Sequence, residues 1–345
     1  MDGWIENARM IVESAAAIVP EDGGLDRVRA LRFASPGYSP EVFAEIGTMG
    51  WLQLAVPERD GGAGLGMREC ASLLVALGRG LLPEPVVSAL LAQRLTAGRA
   101  DTDILDGRTV MVAAWQDRTD SLDFAGPAGG DILKLHVDGA AGAGAFAVLA
   151  EQGVAIVRAG EPGVRVETAA LQDGTFEGTL TLSAGNPEWL PVADADLALD
   201  EAILSHSAYL LGLSERGIEI TLDYLRVRKQ FDQPIGSFQA LQHRASELKI
   251  QLELCRAAIF RTAARLDAGL SADRRAAAVS RVKTRAAGLA MLMAREAVQM
   301  HGAIGTTEEA DIGLVVAKAI SQANRYGSAR LHRNRHFDAS ERSAA

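Results

Sequence analysis

The stretch Tyr224-Leu-Arg-Val-Arg-Lys-Gln-Phe231-Asp-Gln-Pro-Ile-Gly236-Ser-Phe-Gln239 sets a forked cation, Arg228, and an aromatic ring, Phe231, three residues apart between two helical patterns. Upstream, Ile218, Leu222 and Leu225 share one side of a helix. Downstream, Phe238, Leu241, Ala245, Leu248, Leu252, Cys255 and Ile259 form one apolar stripe, and Val279, Val282, Ala286, Leu289 and Met293 form a second. Helices of about 25–30 residues joined by short loops, each with such a stripe, predict an antiparallel four-helix bundle.

Working towards the N-terminus, the texture changes twice. Val110-Met-Val-Ala-Ala-Trp115, Ile132-Leu-Lys-Leu-His-Val137, Ala145-Phe-Ala-Val-Leu-Ala150, Val154-Ala-Ile-Val157 and Gly178-Thr-Leu-Thr-Leu182 are short alternating or apolar runs between Gly and Asp turns. With no helical pattern among them they predict strands of a small antiparallel β-barrel or sandwich. Before residue 109, Ser39 to Gly47 and Met67 to Leu82 carry apolar residues at helical spacing. Pro57-Glu-Arg-Asp-Gly-Gly-Ala-Gly-Leu-Gly66 between them is a loop by glycine density, and no Lys-Ser/Thr pair follows to make it a phosphate cradle. The expectation is an α+β multidomain chain: an N-terminal helical domain over 1–108, a middle β domain over 109–193, and the helical bundle over 194–345, with a frayed tail from Asp338.

Composition narrows the class. The chain has 345 residues, 48% of them hydrophobic, which supports ample cores. No apolar run approaches the ~20 residues of a membrane helix. The start, Met-Asp-Gly-Trp-Ile-Glu, lacks a basic segment followed by an apolar block, so a cytoplasmic location is expected. Cys70 and Cys255 are the two cysteines, far apart in helical patterns; buried thiols are expected, not a disulfide or zinc site. His206, His243 and His301 have no matched metal-ligand spacing, and no metal is expected. A net charge of −9 argues against nucleic acid as a partner, but leaves room for local arginines around a phosphate-bearing ligand.

Together with Glu296-Ala-Val-Gln-Met-His-Gly-Ala-Ile-Gly305, the opening stretch resembles the C-terminal half of the acyl-CoA dehydrogenase family of flavoproteins, whose domain order is helical, β, helical bundle. Gly50-Trp-Leu-Gln-Leu-Ala-Val-Pro-Glu58 with Gly61-Gly62 is similar to the family's PE-x-x-GG segment. The resemblance implies FAD as cofactor, an acyl-CoA substrate and electron-transfer flavoprotein as acceptor. It implies that Arg228 and Phe231 approach the FAD of a neighbouring subunit, and that Gln239, Gln299, Gly302 and Ala303 contact the same cofactor. An arginine fork suits a diphosphate because it donates paired charge-assisted hydrogen bonds. The alternatives are a surface arginine, a core phenylalanine, and Gly302 as an ordinary helix C-cap.

The resemblance fails where the family holds the flavin ring. The Thr-Glu-Pro-x-x-Gly-Ser-Asp loop is replaced by Ala114-Trp-Gln-Asp-Arg-Thr-Asp-Ser-Leu122, and the Trp-Ile-Thr strand by Leu133-Lys-Leu-His-Val-Asp-Gly139. The family's reaction needs a carboxylate to remove the proton beside the thioester carbonyl. At the usual position of this Glu, an ungapped count from the His-Gly-Ala-Ile-Gly segment arrives at Tyr326, a poor base with a pKa near 10. A minority of members keep the Glu on the first bundle helix, and that position here is Ala202. Glu201 is one residue, or ~100° of helix, away. It serves as the base if the register shifts by one; otherwise it is an acid at a helix N-terminus beside Asp200. Glu308 and Glu309 are expected to be solvated helix-start acids.

The chain thus retains the groups it would lend to another subunit's flavin and lacks those it would need for its own. That asymmetry resembles the shorter subunit of heteromeric (α2β2) bacterial steroid-type acyl-CoA dehydrogenases, in which a paralogous chain supplies the catalytic Glu. The alternatives are a self-sufficient homo-oligomer using Glu201, or a flavin-free assembly subunit.

Overall fold

The helix after Ser39 begins where the sequence supplies both a cap and a fixed φ. In the computed structural model, which describes residues 3–20, 23–97, 99–124, 130–183, 187–307 and 309–344, Ser39 Oγ accepts the Val42 amide at 3.2 Å and Pro40 occupies the first helical position. The N-terminal helices are α1 (Gly3–Ala15), α2 (Asp26–Leu31), α3 (Pro40–Thr48), α4 (Met67–Arg79), α5 (Val86–Thr96) and α6 (Thr102–Leu105). The strands β1 (Met111–Ala114), β2 (Ile132–Asp138), β3 (Ala145–Ala150), β4 (Gly153–Arg158), β5 (Val164–Ala170) and β6 (Phe176–Leu182) follow. The last part comprises α7 (Ala195–Val227), β7 (Lys229–Gln230), β8 (Gln233–Pro234), α8 (Gln239–Asp267), α9 (Ala272–His301), α10 (Asp311–Gln322) and α11 (Ala329–Ala344).

By Cα proximity the chain divides into two units. One comprises Ala30–Cys70 and Pro83–Ile203 and holds two three-stranded sheets, ordered β1-β3-β4 and β2-β6-β5. Every residue of β3 is buried, as its unbroken apolar run Ala-Phe-Ala-Val-Leu-Ala requires of a central strand. Ser88 of α5 accepts the Ala113 amide at 3.1 Å, tying that helix to β1. Two features depart from the sequence reading. The pairing of β1 with β3 is parallel, unlike the antiparallel pairs β2–β6, β3–β4 and β5–β6, because the chain crosses to the second sheet through β2 before returning. The strand β5 escaped notice because it is an edge strand: most of Val164–Ala170 is exposed, so burial imposes little pattern on it.

The other unit comprises Met1–Arg29, Ala71–Leu82 and Leu204–Ala345. Here α4 meets α7 at two glycines: a Cβ on Gly78 would lie 2.1 Å from the Tyr209 carbonyl, and one on Gly212 would lie 2.0 Å from that of Val75. A bidentate pair from Arg79 to Glu219, at 2.6 and 3.0 Å, and Arg256 to Glu215 at 2.6 Å join α4, α7 and α8. The expected stripes face inward: Leu248, Leu252, Cys255 and Ile259 on α8 and Val279, Val282, Ala286, Leu289 and Met293 on α9 are buried, with Phe238, Leu241 and Ala245 half-buried at the start of α8. Both cysteines are free and buried, and burial pushes the Cys255 thiol up to about 12. The expected frayed tail is helical to Ala344, held by Ala339 in the core, by His336 Nδ1 at 2.8 Å from the Ala277 carbonyl and by Arg342 on Asp273 at 2.8 Å. No helix among the described residues is long and apolar enough to cross a membrane.

Lys283 lies fully buried in α9, its Nζ donating to the Ala323 carbonyl at the C-cap of α10 at 2.8 Å. That is a favourable place for a cation beside a helix C-terminus, yet burial pulls its pKa from 10.5 down to about 7. Between those two values the unfolded chain holds the proton that the folded chain has lost, so this residue's contribution makes stability rise with pH; below about 7 the cost of burying the charge is full. Lys283→Met is therefore expected to compare more favourably with the native chain at pH 7 than at pH 10. A difference in thermal midpoint that does not change over that range would contradict this.

Candidate functional site

The residues singled out in the bundle gather at one of its ends, where α7 and α9 finish and α8 starts. Between α7 and α8 the chain folds into a hairpin with Lys229 opposite Pro234 and Gln230 opposite Gln233, so Phe231 and Asp232 form a two-residue turn. Both have positive φ, 53° and 62°, the signature of a type I′ turn that normally recruits Asn and Gly. A phenylalanine in this conformation is strained, and such strain persists where the surroundings impose it. The hairpin base is fixed by the Ile235 amide on the Arg228 carbonyl at 2.8 Å. Gln242 donates to the Gly236 carbonyl at 3.0 Å, joining α8 to the segment that follows the hairpin.

The side chains stand outward. Phe231 is 85% exposed and meets Phe238 edge-on at 6.1 Å between ring centroids. Arg228 is exposed and makes no ion pair or side-chain hydrogen bond among the described residues. Gln239, in the first turn of α8, is exposed, as are Gln299 in the last turn of α9 and Ala303 just beyond it. Gly302 takes φ 68° and ψ −145°, a region essentially restricted to glycine, and a Cβ there would meet nothing within 4 Å. Backbone conformation, not crowding, selects the glycine, and it leaves open space beside the α9 terminus.

Tyr224 joins the two motifs: its ring stacks on His301 with centroids 4.3 Å apart and its hydroxyl donates to the His301 carbonyl at 3.3 Å. His301 is buried with Nδ1 2.9 Å from the Ala297 carbonyl, and burial lowers its pKa against the opposing effect of that bond. It acts here as a neutral strut. His206 is likewise buried, and burial together with nearby Lys283, Arg325 and Lys318 holds its pKa well below the ordinary value. His243 is exposed on α8. No cluster of three His, Cys, Asp or Glu suited to a metal occurs among the described residues.

The positions corresponding to the family's base lie in settled surroundings. Tyr326 is buried with φ 57°, its carbonyl 2.8 Å from His332 Nε2 and its ring centroid 5.3 Å from that of His206. Ala202 is buried in α7. Glu201 falls in the second turn of a helix continuous from Ala195, where Arg94 Nε donates to its carboxylate at 2.8 Å. Glu309 is exposed, and Glu308 lies outside the described residues.

The two segments that replace the family's flavin-ring loop and strand are bonded to each other. Lys134, fully buried in β2, donates to the carbonyls of Trp115 at 3.2 Å and Phe124 at 3.0 Å and to the Asp117 carboxylate. The Leu135 amide reaches the Gln116 carbonyl at 2.8 Å, Thr119 Oγ1 lies 2.9 Å from His136 Nε2, and Gln116 Nε2 donates to the carbonyls of Arg118 and Ser121. Sequence reasoning registered the missing motifs but not this lysine. The signal was a lone Lys in an otherwise apolar Ile-Leu-Lys-Leu strand, with an Asp downstream of the preceding strand.

Residues 6–98 match the N-terminal domain of acyl-CoA dehydrogenases, and residues 194–335 match the C-terminal domain. The acyl-CoA dehydrogenase IpdE2 of Mycobacterium tuberculosis (strain ATCC 25618 / H37Rv) is 28% identical over 333 residues, 94% of this chain and 93% of the relative. The acyl-CoA dehydrogenase FadE27 of the same strain is 31% identical over 296 residues, 78% of this chain and 79% of the relative. Among solved structures, a variant of the Tcur3481–Tcur3483 steroid ACAD superposes with a TM-score of 0.87 at 25% identity, over 99% of this chain and all of the other. The ChsE4–ChsE5 complex from Mycobacterium tuberculosis gives 0.84 at 26% identity, over 97% of each chain.

Proposed function

The chain belongs to the acyl-CoA dehydrogenase family, and from that premise we propose that it is the subunit contributing FAD contacts in a heteromeric enzyme that dehydrogenates an acyl-CoA thioester. The observation that carries this reading is the hairpin: Arg228 has no side-chain partner among the described residues, and Phe231 is held outward at a backbone cost. Arg228 would grip the FAD diphosphate of the neighbouring subunit through its fork, and Phe231 would cover the adenine. Gln239, Gln299 and the open backbone at Gly302 and Ala303 would contribute polar contacts and close approach. These groups fit FAD from one side only, because the loop and strand that would enclose a flavin ring spend their polar groups on Lys134 and on each other. Bound FAD would supply the electron acceptor for the dehydrogenation.

In this reading a paralogous subunit supplies the catalytic Glu, and the assembly is α2β2. Support comes from the full-length likeness to chains of the ChsE4–ChsE5 complex and of the Tcur3481–Tcur3483 steroid ACAD. The same likeness favours a steroid-type acyl-CoA substrate. A cytoplasmic setting and electron-transfer flavoprotein as acceptor complete the proposal. The domain limits 1–108, 109–193 and 194–345 are retained in it as functional segments.

The visible spectrum tests it. The chain purified alone is expected to be colourless and to become yellow and active when co-expressed with its paralogue. A lone chain carrying a full complement of FAD that an acyl-CoA bleaches would overturn the reading and turn attention to Glu201. Glu201→Gln is expected to lower thermal stability by loosening the Arg94 pair while leaving turnover of the complex largely intact. Loss of turnover with FAD retained would make Glu201 the base.

A further inference from the structure

We propose that the end of the bundle opposite the Arg228–Phe231 hairpin carries a separate anion site for a small ligand bearing adjacent phosphate groups. The last turn of α8, the first turns of α9 and the outer half of α11 border an open surface cavity of about 320 Å³ there, at the small end of the range for ligand sites. Its charge is one-sided. Arg274 and Arg281 stand seven residues apart on α9, the spacing that puts them on one face, and the residues between them that line the cavity are the alanines 277 and 278, which keep its floor clear. Arg265 enters from α8, and His336, Ser340 and Ser343 line the α11 side.

No carboxylate lines the cavity. Several other arginines of this unit are matched to acids: Arg79 and Arg256 to Glu215, Arg244 to Glu296, Arg216 to Glu219. Arg265, Arg274 and Arg281 make no ion pair or side-chain hydrogen bond among the described residues, and the acid in the first turn of α9, Asp273, is taken by Arg342 at 2.8 Å. In a protein of net charge −9, three guanidinium groups without acidic partners among the described residues, Arg274 and Arg281 of them exposed, give this cavity a local positive potential that favours an anion.

The remaining groups suit a phosphate. Ser271 is the N-cap of α9 but makes no side-chain capping bond, so the positive end of a 30-residue helix is not closed by its own cap. His336 has Nδ1 committed to the Ala277 carbonyl at 2.8 Å, which fixes the ring. Hydroxyls from Ser340 and Ser343 add donors that adapt to oxygen positions. Three forks exceed what a single phosphate requires and match two adjoining ones.

Isothermal titration of the full chain at low salt with inorganic diphosphate, orthophosphate and ADP tests this. One diphosphate is expected per chain, with orthophosphate weaker by roughly tenfold, the worth of one charged hydrogen-bonded contact. The variant carrying Arg274→Ala and Arg281→Ala is expected to lose at least that much again, while Arg226→Ala, the loss of one cation at the other end of the bundle, leaves binding as it was. ADP binding tighter than diphosphate identifies a nucleotide as the source of the phosphates; equal binding identifies free diphosphate. Should the double variant unfold, Arg281→Lys, which keeps the charge and removes the fork, is expected to weaken diphosphate several-fold. Absence of saturable diphosphate binding, or binding that these cavity substitutions leave unchanged, would overturn the proposal.

Discussion

Replacing Arg228 and Phe231 together with alanine is expected to strip FAD from the complex with the paralogous subunit while leaving the chain folded. Both side chains are exposed, so their removal opens no cavity, and alanine, which also carries a Cβ, keeps the cost of the Phe231 turn conformation, φ 53°, about as it was. What the proposed function expects to be lost is a grip on the neighbour's cofactor. A hydrogen bond to a charged group is worth about 1.5–3 kcal/mol, and each 1.4 kcal/mol is tenfold in affinity. Loss of the aromatic cover adds to that. The measurement is the flavin-to-protein ratio of the purified complex beside its thermal midpoint. A complex that keeps its FAD in full would favour a flavin-free assembly role for this chain. Arg228→Lys separates charge from geometry: a lysine keeps the cation but cannot make the paired bonds, so an intermediate loss is expected.

Lys134→Met is expected to destabilise the sheet-bearing unit by about 3–5 kcal/mol, the usual cost of removing one member of a buried ion pair. Methionine fits the volume of the stem, but it leaves the Asp117 carboxylate, whose side chain is 14% exposed, and the carbonyls of Trp115 and Phe124 without their shared donor. Chemical denaturation would show a lower midpoint, and changing Asp117→Asn in the same chain should recover part of the loss, because the Asp117 charge has then lost its Lys134 counter-ion. A variant as stable as the native chain would mean that the lysine is not what holds the 115–124 loop. The residue also bears on function: the segment that would contact a flavin ring is here organised around an internal cation.

Legibility varied with how far a residue's role is local. The bundle was readable because a helix of 29 or 30 residues repeats its apolar stripe many times over, and each repetition corrects ambiguity in the last. The buried strand Ala145–Ala150 was readable for the same reason of saturation. Edge strand β5 was not, since exposure on most of its length removes the pressure that writes a pattern. The parallel placement of β1 beside β3 was equally hidden, because strand direction depends on which sheet receives β2. The candidate cofactor residues were found by motif, but their exposure and the strained turn beneath Phe231 were not written in the motif: Phe-Asp carries neither the Asn nor the Gly that announces a type I′ turn.

The sequence by itself determined the helical and β segments, the family, and the asymmetry between motifs kept and motifs lost, since each depends on residues near one another along the chain. Tertiary structure alone decided what those residues do with their neighbours. It put Glu201 on Arg94, set Lys134 at the centre of the loop that replaced the flavin-ring segment, joined the two bundle motifs through Tyr224 and His301, and left Arg228 without a side-chain partner among the described residues. The physical reason is that charge pairing and desolvation depend on distance in space, and residues 94 and 201 or 224 and 301 acquire that distance only when the helices pack.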